Sequence, residues 1–257
     1  MKRSTRSLGT VIAILALVLP AGPLAGADAT DLAARLTQAG FSRMSAGPVK
    51  GPWREAGLPG QTLPLTRFDV QPQAGGDSIL RIQADGSYGN LVFDTDSAPI
   101  ATTTRLHWRW QLERGLPASD LRHKQGDDAP LKVCALFDMA LDGLSFGEAA
   151  KLRMARALSG ERLPAATLCY VWDRQLAVGS IVPNAFSPRV RYLVASAGPP
   201  QPGEWVAVER ALGADFLRAF GGETRVLPPL MALAVGADAD NTGGSSLGFL
   251  GDIRLLP

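Results

Sequence analysis

The segment Thr102–Leu112 constrains the fold more than any other. Leu106, Trp108, Trp110 and Leu112 fall at alternate positions, with His107, Arg109 and Gln111 between them. Side chains of an extended chain point to opposite faces in turn, so this spacing predicts a strand with one apolar and one polar side. Two tryptophans on one strand face need a second layer to cover them. Similar short runs follow to the end of the chain: 65–70, 78–83, 88–93, 131–137, 167–172, 189–195, 204–210, 230–235 and 248–255, separated by Gly- and Pro-containing turns. Many short strands between such turns predict a mainly β chain, a two-sheet antiparallel sandwich of the jelly-roll kind.

Two stretches break the pattern. Asp31–Ala39 carries Leu32 and Leu36 four apart and stops at Gly40, which predicts a short N-terminal helix. Residues 146–158 (FGEAAKLRMARAL) are rich in helix formers, with Leu152, Ala155 and Leu158 at helical spacing, and predict a helical insertion between strands. Asp215–Phe220 predicts a further helical turn ended by Gly221-Gly222. The Pro- and Gly-rich stretch 48–64 is expected to be extended, with Trp53 anchoring it to the sandwich.

Ahead of these lies a basic start (Lys2, Arg3, Arg6), an apolar run VIAILALVL ending at Pro20, and alternating small residues around Ala27 and Ala29. This order predicts a secretory signal over 1–29, and the apolar run is too short for a bilayer span of roughly 20 residues. The expected organisation is therefore a leader (1–29), an N-terminal helix and extended segment (30–64), and one sandwich domain (65–257) in the periplasm or outside the cell. The formal charge is +2 with the basic leader included. The body is thus near neutral, which argues against a nucleic-acid partner. Two cysteines occur, Cys134 and Cys169, both in apolar strand-like runs. Export permits a disulfide, but the surroundings favour two buried thiols.

Several motifs occur in a fixed order from about Leu106 onward: Trp108-Arg109-Trp110, Gly126-Asp127-Asp128-Ala129-Pro130, Tyr170-Val171-Trp172, Gly203-Glu204-Trp205 with Glu209-Arg210, Asp238-Ala239-Asp240-Asn241-Thr242, and Gly251-Asp252-Ile253. In this ordered set the chain resembles the bacterial domain of unknown function 3047 family. The resemblance implies an exported, sandwich-like β domain and hands over no catalytic residue.

Three constellations carry candidate chemistry. Asp127 and Asp128 precede a strand, while Asp238, Asp240 and Asn241 follow one. Alternate carboxylates in a loop can gather hard oxygens, so Asp238 and Asp240 are candidate calcium ligands. The segment lacks a closing Glu at EF-hand distance, and polar turns account for the same residues. If both loops meet at one end of the sandwich, a ligand site becomes the better reading. Arg109, on the polar face of its strand, is expected either to clamp an anion or sugar hydroxyl or to pair with Asp127 or Asp128. Among the tryptophans, Trp108, Trp110 and Trp172 suit the core, and Trp53 and Trp205, beside turns, are the exposed platform candidates.

No G-x-S-x-G elbow, H-E-x-x-H, P-loop or dinucleotide fingerprint is present, and two histidines do not make a zinc site. The leading expectation is a non-catalytic binding module for a glycan or other envelope component, with Arg109, Asp127, Asp128, Trp205, Asp240 and Asn241 as ligand-binding residues. Two alternatives stand beside it. One is a jelly-roll glycoside hydrolase or polysaccharide lyase using paired carboxylates from among Asp127, Asp128, Glu209 and Asp240. The other is an envelope structural or interaction protein.

Overall fold

The computed structural model describes residues 29–256 apart from 59, 74 and 160–162. The expected leader, 1–29, lies outside the described residues except for Ala29, which begins the first helix. Two sheets of seven strands form a sandwich. The strands in chain order are β1 Gly47–Pro48, β2 Trp53–Ala56, β3 Arg67–Pro72, β4 Ser78–Asp85, β5 Tyr88–Ala98, β6 Arg105–Arg114, β7 Lys132–Phe137, β8 Ala166–Asp173, β9 Ile181–Pro183, β10 Val190–Ala197, β11 Val206–Ala211, β12 Leu230–Asp238, β13 Ser245–Leu250 and β14 Arg254–Leu256. The helices are α1 Ala29–Gln38, α2 Phe146–Ser159 and α3 Leu212–Phe220. The first sheet runs β1-β3-β4-β13-β6-β11, with β14 also on β6. The second runs β2-β5-β12-β7-β8-β10-β9.

The mainly β, two-sheet expectation holds, with both expected helices in place. One pair departs from antiparallel order: β8 and β10 lie parallel. The single run expected over 248–255 is two strands, because the chain leaves the sheet at 251–253 before β14 returns to β6. The helical turn expected at 215–220 is a full helix beginning at Leu212.

Alternation does what the β6 pattern predicts. Leu106, Trp108, Trp110 and Leu112 point between the sheets, and Trp108 and Trp110 are fully buried. Trp108 meets Tyr170 of β8 at 5.3 Å between ring centroids, and Trp110 meets Trp172 at 5.9 Å, so aromatic contacts join the two layers. Trp53 does anchor its segment. Its ring stacks on Phe41 at 5.0 Å and its indole N–H donates to the Ala39 carbonyl. It is therefore core, which corrects the expectation of an exposed Trp53.

The outer face of the second sheet has a hydrophobic layer of its own, including Val92, Cys134, Cys169, Tyr192, Ala232 and Ala234. Cys134 and Cys169 sit directly opposite each other on β7 and β8 and are joined in a disulfide. This corrects the expectation of two thiols: the register places the two side chains directly opposite on one face, with the Cα atoms 3.9 Å apart and within bonding reach. The long connection from β6 to β7 crosses this face and adds Leu121 and Ala129 to the layer.

Candidate functional site

Outward-facing positions of β5, β12, β7, β8 and β10 form the floor of an open cleft of about 1100 Å³. Its centre is low and apolar, because Ala232, Ala234 and the disulfide project little from the sheet. Gly236 continues this economy; a Cβ there would stand 2.4 Å from the Gly89 carbonyl oxygen. At one end the floor turns polar. Lys132, which begins β7, and Asp238, which ends β12, point to the same side and pair at 2.8 Å, both about 5% exposed at the side chain.

Around this pair the two Asp-containing loops converge. Asp238 Oδ1 accepts the Ala129 N–H at 2.7 Å. Asp128, fully buried, accepts the backbone N–H of Thr242 at 2.7 Å and of Asn241 at 3.1 Å, and Asn241 Nδ2 donates to the Asp127 carbonyl at 3.2 Å. Asp128 is therefore the clamp that ties the 127–130 loop to the 239–242 loop. Asp127 Oδ2 accepts a hydrogen bond from Asn184 Nδ2. Asn184 Nδ2 also lies 2.8 Å from the Tyr192 oxygen. The ammonium of Lys132 also sits 4.5 Å from the centre of the Tyr88 ring, a cation–π contact.

The carboxyls here are poised by burial. Loss of solvent raises Asp127 to about 6, and the nearby Asp238 charge adds to this; Tyr192, Lys132 and Asn184 oppose it. Asp240 is raised by burial first and then by Asp238 and Asp128. Burial also pushes Asp238 upward against the pull of Lys132, while Lys132, with burial working against its charge, is held above its ordinary value by Asp238. At 2.8 Å each charge supports the other. Tyr192 is held well above its ordinary value by burial and by the two neighbouring carboxylates, so it stays a phenol. Asp127 Oδ1 and Asp240 Oδ1 are buried and accept no hydrogen bond.

The structure brings together Asp127, Asp128, Asp238, Asp240 and Asn241. It does not bring Arg109 or Trp205 to them. Arg109 is on the outer face of the first sheet, where its guanidinium lies 4.7 Å from the Trp205 ring centre and donates to Gln73 at 2.9 Å. The expected pairing of Arg109 with Asp127 or Asp128 is therefore corrected: β6 and β7 follow one another in sequence but belong to different sheets. Glu209 is likewise on the first sheet, paired with Arg105 at 2.8 Å. Both oxygens of Asp238 are already engaged. Among the described residues no three His, Cys, Asp or Glu side chains converge as a metal site would need. Sequence reasoning missed Lys132, Tyr88, Asn184, Tyr192 and the exposed Phe186 on the rim of the cleft. Lys132 left a trace, being the one charged residue in the apolar run LKVCALF.

A second hollow, about 350 Å³, is walled by Trp172, Pro117, Pro130, Pro199 and Pro200. It holds no buried carboxylate. Among the described residues no helix is long and apolar enough to cross a membrane.

Comparison with solved structures finds matches at low identity and low structural similarity. The CBM22-1 xylan-binding domain of Paenibacillus barcinonensis Xyn10C is 11% identical, with 84% of this chain and 90% of that one covered at a TM-score of 0.36. The cellulose induced protein Cip1 is 10% identical, with 79% and 90% covered at 0.35. The Endo-D glycoside hydrolase domain from Streptococcus pneumoniae R6 is 11% identical at 0.34; 79% of this chain is covered, but only 21% of the other. At these scores no reading of the site is taken from them. No curated protein matches the chain by sequence. The profile of the protein family of unknown function DUF3047 matches residues 51–254, and the chain belongs to that family.

Proposed function

We propose that this protein is an exported binding module and that the cleft on the outer face of the second sheet holds a glycan or glycan-like envelope component. The observation that carries this is the buried Asp127 carboxylate at the end of the cleft, with one oxygen left without a donor. A buried acceptor without a partner costs about 1–3 kcal/mol, and a ligand hydroxyl or amine would supply the missing donor. The rest of the lining suits a sugar. Tyr88, Asn90, Thr167, Asn184 and Ser187 offer hydrogen-bonding groups around a low apolar floor, and Phe186 stands 58% exposed at the rim as a flat surface for C–H faces. Trp53 is buried and Trp205 lies with Arg109 on the other sheet, so the platform role expected of these two passes to Phe186 and Tyr88.

The test is a glycan array probed with the purified protein, with and without Ca²⁺, beside the Asp127→Asn variant. The expected result is binding to a limited set of glycans that the variant loses. Absence of binding to every glycan refutes the proposal. A hydrolytic reading has one observation in its favour: Asp127, at about 6, can hold a proton near neutral pH. It predicts new reducing ends when a bound glycan is incubated with the protein.

A further inference from the structure

We propose that the polar end of the cleft is a seat for a primary ammonium group, held between Asp127 Oδ1 and Asp240 Oδ1, and that the ligand is an amine-bearing glycan. This rests on the reading of the cleft as a glycan site and narrows its ligand class.

The charge of Lys132 acts on Asp127, Asp238 and Asp240, and all three carboxyls line the cleft. Asp128 is consumed by the N–H groups of Asn241 and Thr242, and Asp238 by Lys132 and Ala129. Asp127 and Asp240 remain, each with a buried oxygen that accepts nothing. Asp127 is only 3% exposed, so water screens it poorly. A neutral hydroxyl would satisfy the hydrogen bond and leave the charge. A second ammonium does both, with three donors for the waiting acceptors. Ca²⁺ fits less well, since it takes 6–8 oxygens and no three metal-binding side chains converge among the described residues.

The charge balance also sets a pH dependence. Asp127 is faced by Lys132 from β7, Asp238 from the end of β12, Tyr192 from β10 and Asn184 from the preceding loop, while Asp240, in the loop after β12, feels Asp238, Asp128 and Lys132. An ammonium ligand needs Asp127 ionised. With its titration near 6, the ionised fraction falls about tenfold between pH 7 and pH 5, and affinity falls with it.

The experiment is calorimetric titration of the purified protein with a glucosamine tetramer, its fully N-acetylated counterpart, spermidine and CaCl₂. It is run at pH 7 and pH 5, and repeated with Asp127→Asn and Asp240→Asn. The glucosamine tetramer is expected to bind at least tenfold more tightly than the acetylated one, and spermidine, whose amines stay protonated at both pH values, to weaken about tenfold at pH 5. Each variant should lose most of that preference. Asp240→Asn, in a loop, keeps the test alive if Asp127→Asn fails to fold. Equal affinity for both tetramers, lost in the variants, overturns the ammonium seat and leaves the glycan reading standing. Spermidine binding that depends on Asp127, with no oligosaccharide bound, supports the seat and overturns the glycan. A response to Ca²⁺ alone, or to none of the four, overturns both.

Discussion

Replacing Asp127 with Asn separates the cost of burying this charge from everything else the residue does. The amide keeps the size of the side chain and can still accept the Asn184 hydrogen bond, but it does not titrate. In the native chain Asp127 titrates near 6 against an ordinary value of 3.8. A carboxyl raised on folding makes the native state bind more protons than the unfolded one between those two values. Stability from this group is therefore greatest in acid and is lost as pH rises through about 6. At pH 5 native Asp127 is about nine-tenths protonated while its unfolded counterpart is largely ionised, so the wild type gains roughly 1–2 kcal/mol over its own pH 7 value. At pH 4 the gain reaches roughly 2–3 kcal/mol, close to the ceiling set by the full shift. The variant lacks this contribution. For a domain of this size the gap between the two melting temperatures should change by roughly 3–8 °C between pH 7 and pH 5, in the wild type's favour at the lower pH. Calorimetric melts of both proteins at pH 7, 6 and 5 measure it. Parallel curves, with a constant gap, would refute the buried, poorly solvated Asp127 on which the site reading depends.

Lys132→Met should cost roughly 3–5 kcal/mol, because it strands the Asp238 charge in a site about 5% exposed. Adding Asp238→Asn should recover at least half of that loss, and a Lys132→Met melt within a degree of wild type would contradict the ion pair. Reducing the Cys134–Cys169 disulfide opens a loop of 35 residues, which should lower stability by roughly 3–4 kcal/mol in denaturant titrations with and without reductant. Unchanged midpoints would mean that the paired strands alone hold the cleft floor. Trp205→Ala should leave any ligand affinity of the cleft unchanged, since Trp205 lies with Arg109 on the other sheet. A large loss of affinity would place the site on the wrong face.

The inner half of the fold was legible because alternation acts locally. Leu106, Trp108, Trp110 and Leu112 need only their own spacing to declare one face apolar, and they lie where that spacing puts them. Which sheet a strand joins is not local. Arg109 and Asp127 are 18 positions apart, but the connection between β6 and β7 carries the chain from one layer to the other. The same gap hid the Lys132–Asp238 pair, whose partners are 106 residues apart and meet only because β12 lies beside β7. The cysteines show a milder form of the problem. They face each other on strands consecutive in sequence, and α2 between those strands obscured the hairpin-like pairing. The convergence of the two Asp loops was stated as a condition; Asp128, bonded to Asn241 and Thr242, is the residue that meets it.

The acidic end of the cleft is a poor way to stabilise a sandwich. Replacing buried, incompletely paired charges with apolar groups of similar size is often neutral or favourable by 1–4 kcal/mol, and here two carboxylate oxygens lack even a hydrogen bond. The surrounding structure holds them regardless: Asp128 locks the loops together, the disulfide ties the floor, and Asn184, itself bonded to Tyr192, holds the Asp127 carboxylate. Such reinforcement around an unfavourable group is expected where the group's use lies in binding rather than folding, because preorganised acceptors lose little freedom when a donor arrives. The argument carries its own check at neutral pH. Asp127→Asn, which removes the charge and keeps the shape, should melt no lower than wild type at pH 7 while its ligand affinity falls. A variant that lost stability and affinity together at pH 7 would assign Asp127 to the scaffold and leave the cleft without its anchor.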